Sequence, residues 1–161
     1  MQNIDLICIG KLNMSFYAAG VAEYQKRLAA FCNFRIIELP EAAIDERHAS
    51  DTQVEKALEK EARAILGALR KGEYLTALCV EGKQISSEEL ADLIASRAMS
   101  GAGDIAFVIG SSHGLADSVK RAAQSRISLG RITMPHQMAR LVLTEQLYRA
   151  FSINAGMKYH K

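Results

Sequence analysis

The sequence predicts an α/β fold, a mostly parallel sheet with helices on both faces, on three observations. Five apolar, β-branched runs alternate with five segments of helical periodicity, the pattern of strands joined by helical crossovers. The only long polar connection is residues 40–50, and no repeat or low-complexity tract breaks the chain. The 161 residues, 49% hydrophobic and 24% charged, suit one core, so residues 1–161 are read as a single domain.

The first strand is Asn3–Ile9 and the first helix 15–31. A second strand at 34–39 precedes a helix over 52–69, with Val54, Leu58, Ile65 and Leu69 among its apolar positions and Gly72 just past its end. After a strand at 74–80, Ser86-Ser87-Glu88-Glu89 opens the third helix with an N-cap and acids in its first turn. Gly101 and Gly103 close it. Ile105–Ile109 is a strand, 115–125 a helix, 126–134 a strand without a clean period, and 136–153 the last helix.

That last helix carries two apolar arcs, Met138, Leu141, Val142 and Tyr148 on one and Leu143, Leu147, Ala150 and Phe151 on the other. Two arcs predict that one meets the sheet and the other a second subunit, hence a homodimer. Glu145 and Arg149 sit at i, i+4 spacing within the first arc, either as a helix-surface pair or facing a site.

No apolar run is long enough for a membrane span and no leader pattern opens the chain, so a cytoplasmic protein is expected. The three cysteines are odd in number and lack C-x-x-C spacing, and Cys8 and Cys79 lie inside apolar runs. Reduced, structural thiols are expected. His48, His113, His136 and His160 have no metal-binding spacing, so no metal is expected. The net charge of +2 hides a split: residues 115–161 hold eight basic and two acidic side chains, the rest twelve and sixteen. Such a pole can meet phosphates, or be ordinary solvated surface.

The sharpest local feature is Ile109-Gly110-Ser111-Ser112-His113-Gly114, between a strand and a helix, where open α/β sheets bind ligands. It has neither G-K-[ST] nor G-x-G-x-x-G, which argues against a P-loop or a dinucleotide fold. It does match G-x-S-x-G, with Ser112 as nucleophile and Asp117, His136 or His160 behind it. Against a hydrolase stand the short chain, the closeness of Asp117 and the missing H-G-G-G motif. The tail, Gly156-Met157-Lys158-Tyr159-His160-Lys161, joins an aromatic ring, an imidazole and ammonium groups able to stack on a base, titrate near neutrality and contact phosphate.

Six pieces together resemble the bacterial 23S ribosomal RNA pseudouridine N3-methyltransferase family of the SPOUT superfamily. They are Ile7-Cys8-Ile9-Gly10-Lys11, Glu81-Gly82-Lys83 closing its strand, the run from Phe107 to Gly110, Thr133-Met134-Pro135-His136-Gln137, Glu145-Gln146-Leu147-Tyr148-Arg149-Ala150 preceded by Arg140, and the Tyr159-His160-Lys161 ending. The resemblance spans the chain. It implies a C-terminal trefoil knot, S-adenosylmethionine as cofactor, and as substrate a large-subunit ribosomal RNA pseudouridine met in the assembled ribosome. It also implies a homodimer in which the tail of one subunit completes the pocket of the other. The cofactor is then held by Leu78, by Gly110, and by Leu129, Gly130, Arg131, Ile132, Thr133 and Met134. Where the family commonly has a second glycine this chain has Ser111, which would put a side chain near the cofactor. With the composition of the tail, the resemblance gives His160 as acceptor of the N3 proton, Tyr159 as stacking or hydrogen-bonding partner, and Arg140 or Arg149 as stabiliser of the developing anion. A ribosome-binding factor that keeps the fold without the cofactor is the non-enzymatic alternative.

Overall fold

A computed structural model describes all 161 residues. The elements follow in the order β1 (Asn3–Ile9), α1 (Ser15–Leu28), β2 (Asn33–Leu39), α2 (Asp51–Ala68), β3 (Tyr74–Gln84), α3 (Ser87–Met99), β4 (Ile105–Ile109), α4 (Asp117–Ala122), β5 (Ser125–Ser128) and α5 (His136–Asn154). The five strands form one parallel sheet, ordered β2-β1-β4-β3-β5.

Alternation along the strands sorts side chains to two apolar faces, as a sheet covered on both sides requires. Ile4, Leu6, Cys8, Ile105, Phe107 and Ile109 pack beneath α1, α3 and α5, against Leu28, Ile94, Leu143 and Leu147. Ile7, Ile9, Leu75, Ala77, Ala106 and Val108 face α2 and α4 through Ala62, Ile65 and Val119. Each fully buried Leu or Ile contributes about 1.5–3 kcal/mol. Capping boxes start two of the helices: Ser50 with Gln53 at α2, and Ser86 with Glu89 at α3.

Three expectations need correction. The strand expected over 126–134 ends at Ser128. There the Ser128 hydroxyl folds back, accepting from the Gly130 N–H at 3.2 Å and donating to the Gly130 carbonyl at 3.0 Å. Gly130 has φ +124°, so the chain leaves the sheet as a loop. The helix expected over 115–125 is confined to Asp117–Ala122, because Leu115 and Ala116 are buried as packing residues before its N-cap and β5 begins at Ser125. The two arcs of α5 are largely filled inside one chain. A Cβ on Gly20 of α1 would lie 2.8 Å from Leu141 Cδ1, and Tyr148 packs among Tyr24, Phe31 and Tyr159. The pattern of α5 therefore does not by itself call for a second subunit; α1 accounts for much of it.

β3 does not run straight. Its pairing with β5 shifts, so that Ile127 is the partner of both Leu78 and Lys83. The intervening residues bulge, and Gly82 lies so close that a Cβ there would fall 2.6 Å from the Ile127 carbonyl carbon. Only glycine permits this approach.

Near the amino end of the sheet, fully buried Asp5 receives two forks. Arg35 donates at 3.1 and 2.6 Å and Arg70 at 3.2 and 3.3 Å. Arg35 remains half exposed and Arg70 one-third exposed, so water screens part of the loss when the carboxylate goes. We expect Asp5→Ala to cost about 2–3 kcal/mol in urea unfolding, less than the ~3–5 kcal/mol of a fully buried pair.

Candidate functional site

A cleft of about 670 Å³ opens at the carboxyl ends of β3, β4 and β5. One wall is the β3 bulge from Leu78 to Glu81, the floor is the glycine loop after β4, and the far wall is the loop from Ser128 to His136. Strand ends supply such a site because each chain must turn there, freeing backbone N–H groups from the ladder.

The floor is shaped by glycine. A Cβ at Gly110 would sit 2.3 Å from the Gly114 carbonyl oxygen. Gly114, at φ +81°, closes the loop with its N–H on the Ser111 carbonyl at 2.9 Å. Ser111 is buried, and its hydroxyl donates to Glu61 Oε1 of α2 at 3.3 Å. The hydroxyl expected beside the cofactor is thus committed to α2.

Of the residues expected to hold the cofactor, Leu78, Gly110, Leu129, Gly130, Ile132, Thr133 and Met134 line this cleft. Arg131 is exposed and does not. The run at 129–134 has no clean period because it is a loop: Leu129 and Met134 pack against the core while also lining the cleft, and Ile132 is exposed.

Charged side chains and an imidazole also line the cleft. Lys120 of α4 and Glu81 pair at 2.6 Å, and the lysine's hydrogen bond holds the Glu81 carboxyl below the usual carboxylate range. Glu81 belonged to a recognised motif and Lys120 to the basic pole, but nothing in their spacing places them face to face. His136 opens α5 at the cleft, and its Nε2 is buried without a hydrogen-bond partner. The thiols are unsuited to nucleophilic work: burial pushes Cys8 and Cys32 up to about 12 and raises Cys79, which also faces Glu81. Ser112 is exposed and hydrogen-bonds to no histidine: His136 Nε2 has no partner, and His160 is engaged by Glu88 and Arg149. The hydrolase reading therefore lacks its triad. No group of three or more His, Cys, Asp or Glu side chains is arranged to hold a metal, and no helix is long and apolar enough to cross a membrane.

The expected catalytic residues lie elsewhere. Arg140 is 3% exposed, donating to Glu38 at 2.6 Å and to the Gly10 carbonyl at 3.1 Å. It clamps α5 to the ends of β1 and β2. α5 ends in a Schellman turn, with Gly156 at φ +68°, the Gly156 N–H on Ile153 and the Met157 N–H on Ser152. The turn folds the tail back along the helix. Tyr159 shares a hydrogen bond with Tyr24 at 3.3 Å, donates to Glu145 at 3.0 Å, and lies under Arg149, which pairs with Glu145. Burial, and hydrogen bonds to Tyr24 and Glu145, raise the Tyr159 phenol above its ordinary value. His160 Nε2 meets Glu88 Oε1 at 2.7 Å and Nδ1 meets Arg149 at 3.3 Å. The thirteen residue steps from His136 to Arg149 span roughly 20 Å of helix, so the tail docks well away from the cleft of the same chain.

Residues 2–160 match the family model described as "Predicted SPOUT methyltransferase". Relatives named "Ribosomal RNA large subunit methyltransferase H" from Streptococcus uberis and Pediococcus pentosaceus are each 48% identical over 160 residues, covering 99% of this chain and 100% of theirs. One of the same name from Ligilactobacillus salivarius is 46% identical over the same span. Among solved structures, a probable methyltransferase from Bordetella pertussis superposes with a TM-score of 0.57 at 16% identity, covering 92% of this chain and 93% of that one. At that identity it speaks to the fold alone.

Glu61 gives the site a measurable pH signature. Burial raises its carboxyl above the usual value, against the opposing hydrogen bond from Ala42. A group whose folded value is raised contributes stability fully below the unfolded value, and that contribution is lost as pH climbs through the folded one. We expect Glu61→Gln to melt above the wild type at about pH 7.5, and the difference to vanish near the ordinary carboxyl value, about pH 4. Thermal melts across that range check it.

Proposed function

The chain belongs to the SPOUT methyltransferase family, and we propose that it transfers a methyl group from S-adenosylmethionine to N3 of a pseudouridine in 23S ribosomal RNA, on the assembled ribosome, as a cytoplasmic homodimer. The observation that carries the reading is the glycine-floored cleft at the strand ends, walled by Leu78 and the 129–134 loop, in a chain of this family.

The residues present fit such a cofactor. Leu78, Val80, Ile132 and Met134 offer apolar contact and Glu81 an acceptor. Gly110 keeps the floor free of a Cβ. When bound, S-adenosylmethionine supplies an electrophilic methyl group on a sulfonium. The protein's part is to hold the acceptor base in line with it, exclude water and take up the N3 proton; orientation of this kind accounts for about 7–11 kcal/mol of a barrier in well-aligned systems.

We assign that proton to His160. Arg149 can only donate, so Nδ1 is the acceptor nitrogen in the docked tail and Nε2 carries the hydrogen directed at Glu88. The incoming N3–H takes the place of the Arg149 N–H at Nδ1. Arg149, released at that moment, is the cation able to stabilise the developing anion, a role closed to Arg140 by its burial against Glu38. Tyr159 is the stacking partner. The docked position of the tail supports a composite site, since His160 cannot reach its own cleft from α5's far end without undocking. We infer further that the close crossing of Gly82 over Ile127 lies within the trefoil knot of the family.

Labelled methyl transfer to ribosomes lacking the modification, with free ribosomal RNA alongside and nucleoside mass analysis, tests the reading. Methylated pseudouridine is expected from ribosomes alone; absence of transfer to either sinks it. His160→Ala is expected to lower turnover by about 10²–10⁴-fold. Gly110→Ala, whose Cβ obstructs the floor, is expected to abolish S-adenosylhomocysteine binding by calorimetry. Mixed in equal amounts and re-associated, these two inactive variants should recover roughly a quarter of wild-type activity, one sound site in each heterodimer. No recovery would place the tail in its own subunit's cleft.

A further inference from the structure

We propose that Glu61 is a positioning residue for the cofactor cleft, a carboxylate inside α2 that ties the glycine loop to the 40–50 segment. The inference rests on reading the cleft as the S-adenosylmethionine site.

Glu61 is 4% exposed, and an ionised side chain so placed is costly unless donors surround it. It has two. Oε1 accepts from the Ser111 hydroxyl at 3.3 Å and Oε2 from the Ala42 N–H at 3.0 Å. Neither donor belongs to α2. One stands next to Gly110 on the cleft floor; the other is in the only long polar connection of the chain. Its neighbours Ala62 and Ile65 pack in the core against the sheet, so an apolar residue at position 61 would have served packing equally well. The helix does not need the carboxylate for its attachment to α4 either, since Ser118 donates to Glu59, two residues nearer the N-terminus, at 3.0 Å.

The consequence reaches the floor through Ser111. The Gly114 N–H bonds to the Ser111 carbonyl, and the Gly114 carbonyl lies where a Gly110 side chain would be. Displacing Ser111 therefore displaces both glycines that shape the floor. The 40–50 segment comes with it: Glu41, Ala42 and Glu46 border a second cavity with His113 of the same loop. Glu41 and His113 are the titratable groups acting on Glu61 from these two segments. One buried carboxylate thus links two loops that no direct hydrogen bond joins.

Calorimetric titration of S-adenosylhomocysteine into the full-length protein, with melting temperatures and steady-state kinetics beside it, tests the proposal. Glu61→Leu fills the space and removes the acceptor, and is expected to weaken binding and raise KM for S-adenosylmethionine about tenfold, with kcat at saturation little changed. Glu61→Gln should stay within about threefold of wild type: its carbonyl accepts from Ala42, and its amide donates to a reversed Ser111 hydroxyl. Ser111→Ala, which leaves the carboxylate with one donor fewer, should weaken binding by about threefold to tenfold. Wild-type affinity in folded Glu61→Leu overturns the proposal, as does wild-type affinity in Ser111→Ala if the leucine variant does not fold. A wild-type protein that binds no S-adenosylhomocysteine removes the reading of the cleft and this inference with it.

Discussion

The contact on which the cleft depends is the passage of β3 against β5 at Gly82 and Ile127, where no side chain of any size can be interposed. Two residues of β3 five positions apart claim the same partner on β5, so the four between them must leave the ladder. Three of them, Cys79, Val80 and Glu81, with Leu78 before them, become a wall of the cleft. The same pairing ends β5 after four residues and releases the 129–134 loop as the opposite wall. A bulged strand and a truncated one, each a defect in a regular sheet, together create the space between them.

Around this frame, buried charge is used at the places where elements must keep a fixed relation. Asp5 receives arginines from β2 and from the end of α2 near the amino end of the sheet. Arg140 joins α5 to Glu38 and the Gly10 carbonyl, which secures the helix whose first residue borders the cleft. Glu61 does the same for the glycine loop. Each buried charge is met by several partners at once, as burial requires, and each spans segments distant in sequence. Apolar packing alone, being non-directional, would allow those segments to slide.

The tail follows a different logic. A Schellman turn reverses the chain after α5, and the aromatic and charged side chains of residues 159 and 160 are taken up by α1, α3 and α5. The imidazole has both nitrogens engaged, with a guanidinium on one side and a carboxylate on the other. Such a pair of neighbours fixes the tautomer and the ring orientation at once. The docked tail is ordered by α1, α3 and α5 and stands roughly 20 Å of helix away from the cleft.

The sequence by itself determined the fold class, the element order and the place of the glycine loop, because these are written in local signals. Alternating apolar runs set the strands, Ser50 and Ser86 the helix starts, and Gly110 to Gly114 a turn at a strand end. The family was legible for a related reason: the Pro135-His136-Gln137 run and the Tyr159-His160-Lys161 ending are contiguous in the chain, so they are read without knowing what they touch. Only the tertiary structure decided what those motifs touch. It buried Arg140 in an ion pair, left Arg131 in solvent, brought Lys120 to Glu81 and turned Ser111 toward Glu61. It also showed that the arc of α5 carrying Leu141 and Tyr148 is largely met by α1. Partners separated by forty to a hundred residues leave no periodic trace in the chain; they are fixed by which faces the core brings together, and that is a property of the packed whole.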